Sequence, residues 1–146
     1  MPIKKKNTTR KNSTSSQKFQ QEITTNFLEL LLVVKLYHWK THSYAVHKAT
    51  DDLYGELNSN IDKFVEVLLG KTSIRTNLLQ QKSIKLIDLT SKGQLINLVE
   101  NFKNYLVGLS NNKFIQQTMA NTDLLNIRDE ILANLNQFLY LLTLKE

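Results

Sequence analysis

The sequence predicts an all-α protein, a four-helix bundle, and three observations predict it. Apolar residues recur at steps of three and four over four separate stretches. Proline occurs once, at Pro2, and glycine four times, too few to punctuate a chain of strands and turns. With 41% hydrophobic residues over 146 positions, the chain makes one domain with enough apolar surface for a core. Each apolar stripe needs another to cover it, and a bundle does that.

Residues 1–16, MPIKKKNTTRKNSTSS, contain almost nothing to bury. Burial there cannot offset the entropy of ordering, so they predict a disordered basic arm ahead of a bundle over residues 17–146. Within residues 1–21 lie Lys4, Lys5, Lys6, Arg10, Lys11 and Lys18 and no acid. The net charge of the whole chain is +6, so the positive surplus sits on this end. The first helix follows from Phe19, Ile23, Phe27, Leu30, Leu31, Val34 and Tyr37, with Ser15 or Ser16 as cap and an end near Lys40.

Residues 41–43 form a tight connection, and Ser43 is placed to cap the second helix. That helix carries Val46, Leu53, Leu57, Ile61, Phe64 and Leu68 to about Leu69, where Gly70 is the expected terminator. The third spans roughly 93–109 with Leu95, Leu98, Phe102, Leu106 and Leu109 inward. The fourth spans roughly 122–144 through Leu124, Ile127, Ile131, Leu135, Phe138 and Leu142.

The short first connection makes an antiparallel hairpin. The second is about 22 residues long, more than adjacent antiparallel helices require. One long crossover in a four-helix bundle points to a ferritin-like topology. Within it, SIKLIDL (83–89) has the pattern of a short extra helix covering a subunit contact.

Other classes drop out. Without cysteine there are no disulfides and no thiolate metal sites. No run approaches the length of a membrane span. Positive charge at the N-terminus has no apolar segment behind it, so a secretory signal is not expected.

Any chemistry belongs to Leu36–Gly70, which holds all three histidines, the only tryptophan and five of the thirteen acidic residues. His38 and His47 lie almost equally far from the centre of the first turn, so an antiparallel hairpin sets them at one height. Asp51 follows His47 by one turn, and Asp62 and Glu66 form a second pair at the same spacing. Imidazoles with carboxylates suit a first-row transition metal better than magnesium or calcium. The eleven steps from Asp51 to Asp62 complete about three turns but advance about 16 Å. One chain cannot close both pairs on one metal, whereas a two-fold dimer with antiparallel second helices could. His42, Asp52 and Glu56 read as solvent-facing, and Trp39 and Tyr54 as packing residues.

The segment HW…H…D…LY..L…D…E resembles the Dps family of mini-ferritins, DNA-binding proteins that oxidise and store iron. By that resemblance His38, His47 and Asp51 of one subunit face Asp62 and Glu66 of its two-fold mate, as the catalytic and metal-binding residues of a ferroxidase. Trp39 matches the tryptophan that follows the first histidine. The likeness is close over His38–Glu66 and architectural elsewhere. The connection between the two histidines is shorter than in that family, and the features that build a twelve-subunit shell are not identifiable. The chain is also similar to ferritin-like proteins of large DNA viruses.

The resemblance implies Fe(II) oxidation by peroxide or dioxygen, with iron, as a pair if Asp51 or Glu66 bridges, or manganese or zinc. It implies a homodimer or a larger assembly up to a dodecamer. The six cations of the arm suit the phosphates of DNA without sequence preference. The alternative is a non-enzymatic structural or DNA-packaging protein with a vestigial metal site. The expected location is cytoplasm or nucleoid or, for a viral protein, the virion or the host cytoplasm or nucleus.

Overall fold

A computed structural model describes the backbone of residues 3–117 and 120–145, and side chains from Ser15 onward apart from Thr118, Met119 and Glu146. The described residues form helices and no strand. Helix α1 is Ile3–Lys40, α2 is Tyr44–Thr72, α3 is Lys92–Gly108, α4 is Lys113–Gln117 and α5 is Thr122–Leu141, with a 3₁₀ turn at Leu109–Asn111.

Helix α1 begins well before the expected start. Its backbone is helical from Ile3, across the stretch read as a disordered arm. No glycine or proline interrupts residues 3–40, and adding residues to an existing helix avoids the cost of nucleation. Residues 41–43 then turn the chain. Ser43 caps α2 as expected, its Oγ accepting from the Val46 N–H at 3.2 Å.

Helix α2 does not stop at Gly70. It runs on to Thr72 and ends at Ser73, which takes the left-handed conformation at φ 55 and donates its N–H to the Leu69 carbonyl. Tertiary contacts explain the overrun: Thr72 Oγ1 donates to Leu68 O and accepts from the buried Gln20 Nε2 at 2.7 Å. Those bonds hold the last turn against α1.

The crossover, residues 73–91, contains no helix over 83–89. It starts beside the beginning of the packed part of α1, where Gln21 Nε2 donates to Asn77 O and Thr76 Oγ1 donates to Gln20 Oε1. It finishes at the other end of α1, where Lys40 pairs with Asp88 at 2.6 Å. From Gln20 to Lys40 α1 rises about 30 Å, and twelve residues of crossover must match it, about 2.5 Å each. A helix advances only about 1.5 Å per residue, so the segment stays stretched despite its amphipathic pattern.

This traverse decides the topology. The C-terminal end of α2 meets the start of α5 through Lys71 and Asp123, and Arg128 of α5 donates to Leu106 O and Ser110 Oγ at the end of α3. Helices α1 and α5 therefore run one way, and α2 and α3 the other. Helix α4 was not foreseen. Asn112 caps it, its Oδ1 accepting from Phe114 and Ile115, while Phe114 stacks on Phe19 at 4.7 Å. Helix α5 stops at Leu141, short of the expected 144.

The core is the union of the stripes. Phe27 meets Phe64 edge-on at 5.3 Å and Phe102 at 6.1 Å, which joins α1, α2 and α3 at mid-height. Ile131 and Leu135 of α5 are fully buried.

Candidate metal centre at the first turn

His38 closes α1 and His47 opens α2, and the turn brings them face to face. Their rings stack with centroids 3.9 Å apart and planes inclined by 18°. The hydrogen bonds are reciprocal. His38 Nδ1 donates to His47 O at 2.9 Å, and His47 Nδ1 donates to His38 O at 3.0 Å. A carbonyl oxygen only accepts, so each Nδ1 carries a proton. In the neutral ring Nε2 is then the lone-pair nitrogen. Metal-binding histidines are oriented in this way, by donation from the other ring nitrogen to a carbonyl.

Thr50 completes the clasp. Its hydroxyl lies 3.1 Å from His38 Nδ1 and donates to Val46 O at 2.8 Å. Thr50 is fully buried and His38 is nearly so. A threonine three residues after a histidine carries no recognisable sequence signal, and its part here was missed.

The stack also limits what the rings can bind together. Ring lone pairs lie in the ring plane, and metal–nitrogen bonds are about 2.0–2.1 Å. Two nearly parallel rings so spaced cannot both aim at one ion.

The carboxylates stand apart. Asp51, Asp62 and Glu66 are all exposed on α2. Among the described residues no three His, Asp or Glu side chains gather where one ion could be held. Within a single chain His38 and His47 are therefore brought together, and Asp51, Asp62 and Glu66 do not gather with them into one ligand set.

Asp51 lines a cavity with the polar Asp52, Glu56, Asn134 and Gln137, whereas the seam of α1 and α2 carries aromatic rings. Lys35 Nζ sits 4.6 Å from the ring centre of Tyr54 and 5.7 Å from that of Trp39. These contacts align the α1 strip Leu28, Leu32, Lys35, Trp39 with the α2 strip that bears Asp51, Tyr54 and Asp62. Trp39, read as a packing residue, is 68% exposed, and Leu28 and Leu32 are exposed beside it. Tyr54 does pack against the core, and His42, Asp52 and Glu56 face solvent as expected, with Glu56 accepting from Asn134 Nδ2 at 2.7 Å.

Of the candidate DNA-contacting cations, Lys18 is exposed. Lys4, Lys5, Lys6, Arg10 and Lys11 lie outside the residues whose side chains are described. No described helix is long and apolar enough to cross a membrane.

No curated protein and no solved structure matches the chain. Residues 38–142, well over half of its length, match a family model described as a family of unknown function, DUF5856. The match begins at His38 and takes in His47, Asp51, Asp62 and Glu66, and leaves out the basic N-terminal stretch. The chain belongs to the DUF5856 family.

Proposed function

We propose that this is a ferritin-like, Dps-type protein that takes Fe(II) as substrate at a site shared between two chains. The reciprocal His38–His47 clasp carries the reading, because it holds both imidazoles in the tautomer that leaves Nε2 for a metal. A direct two-chain arrangement would bring Asp62 and Glu66 of a second copy to the His38, His47 and Asp51 of the first. The parallel run of α2 and α3 after a long crossover supports a ferritin-like topology. Imidazoles and carboxylates together favour iron over magnesium, with manganese and zinc as competitors. Bound there, iron supplies electrons to peroxide or dioxygen. The protein's part is to hold the ions close and to leave positions open for the oxidant. The basic N-terminal stretch would hold DNA through its phosphates.

A spectroscopic assay tests this. Fe(II) is added anaerobically, peroxide follows, and Fe(III) absorbance is recorded. The His47→Ala, Asp62→Ala double variant should lose at least tenfold in rate, and equal rates would sink the proposal.

One observation favours a second reading. Every Nδ1 bond of the clasp is satisfied within the chain, so the histidines also serve simply to pin the turn. On that reading the protein is a structural or DNA-packaging bundle, and purified protein would take up no stoichiometric iron, manganese or zinc.

A further inference from the structure

A positively charged cavity opens at the end of the bundle where α2 and α3 begin and α5 ends. Its volume is about 310 Å³. Lys48 in the second turn of α2, Lys92 at the start of α3 and Lys145 beyond α5 all line it. None of the three has a carboxylate within 4.0 Å among the described residues. Asp52 is the one carboxylate in the wall. The apolar floor takes in the buried Val46 and Leu142 with Ala45, Ala49 and Leu141, and Leu144 lies beside it. Leu141 and Leu144 remain 37% and 51% exposed, so apolar surface is left uncovered there.

The origin of the field is simple. Helices α2 and α3 start at this end while α1 and α5 finish there, so their macrodipoles largely cancel. Lys40, also at this end, is neutralised by Asp88. Three ammonium groups against Asp52 then leave the cavity positive. Cations around an apolar floor match a ligand with one anionic end and an apolar body.

We propose that this cavity binds an anionic amphiphile: a carboxylate or phosphate head on a short unbranched chain. The head sits among Lys48, Lys92 and Lys145, and the chain lies along Ala45, Ala49 and Leu141. Binding here is independent of the metal reading, because none of the five candidate metal ligands lines the cavity.

Calorimetry on the full chain tests it with octanoate, octyl phosphate, octanol and inorganic phosphate, each below its aggregation concentration. Octanoate and octyl phosphate should bind once per chain, and octanol and inorganic phosphate at least tenfold more weakly. The combined Lys48→Ala, Lys92→Ala, Lys145→Ala variant removes the charge at exposed positions. Ala45→Phe, also at an exposed position, fills the floor. Each variant should weaken both amphiphiles tenfold or more with an unchanged helical circular dichroism signal. Octanol binding as tightly as octanoate, or undiminished binding to the triple lysine variant, would overturn the proposal. Phosphatidate vesicles separate the two sources of such a head. Retention that falls in the triple lysine variant assigns the site to a lipid surface, and retention that does not fall, with octyl phosphate still bound, assigns it to a free ligand.

Discussion

His38 and His47 hold each other through the backbone, and the proton on each Nδ1 follows from what that atom touches. Long-range proton–nitrogen spectra of the neutral imidazoles should therefore show Nδ1–H tautomers for both rings. Thr50 supports the pair from full burial. Thr50→Val keeps the volume and removes the hydroxyl, and it should cost about 1 kcal/mol in urea unfolding. A second residue makes a separate demand on pH. Burial pushes the Tyr105 phenol up to about 12; the Asn26 hydrogen bond opposes the shift and the nearby Glu22 charge adds to it. The unfolded chain loses this proton near pH 10 while the folded chain keeps it, so unfolded molecules bind fewer protons above that pH. The stability from Tyr105 is thus fully present below about pH 10 and is lost as pH rises towards 12. Denaturant midpoints recorded from pH 9 to 11.5 should fall less steeply in Tyr105→Phe.

Along the elements, helix ends were the least legible feature, because an end is settled by contacts from elsewhere. Gly70 carries the local signature of a terminator, yet the bond from Gln20 to Thr72 extends α2 past it. Gly70 is thus a glycine inside a helix, and a Cβ added there meets nothing within 4 Å. Gly70→Ala should raise stability by about 0.5–1 kcal/mol, read as a higher urea midpoint with an unchanged slope. The caps at Ser43 and Asn112 belong to the opposite case. Each side chain bonds to N–H groups two or three residues ahead, so the relevant geometry is local. The segment 83–89 has a helical pattern that the span it must cover overrides.

At the scale of the whole molecule, an unfinished outer face is the main property of the α1–α2 hairpin. It combines exposed Leu28, Leu32 and Trp39 with the carboxylates that the proposed site needs. If two chains meet there, Trp39 moves from water into an interface. Its emission should then shift to the blue with rising concentration, over the same range in which light scattering reports doubling of the mass. Because Trp39 is the only tryptophan, the signal is unambiguous. A chain that stays monomeric with red-shifted emission at all concentrations would exclude the shared site.

Periodicity, composition and capping by themselves determined the helical class, the four long helices, the tight first turn and the equal height of His38 and His47. Each depends on residues close in sequence, within reach of a few turns of helix. The helical rise also showed, without coordinates, that Asp62 and Glu66 stand too far from His47 to join it in one chain. Only the tertiary structure decided the rest. It set the stretched crossover, the end of α2, the role of Thr50, the exposure of Trp39 and the gathering of Lys48, Lys92 and Lys145 around one cavity. Those features bring together residues from distant parts of the chain, and such encounters depend on how the helices pack, which periodicity within one helix does not record.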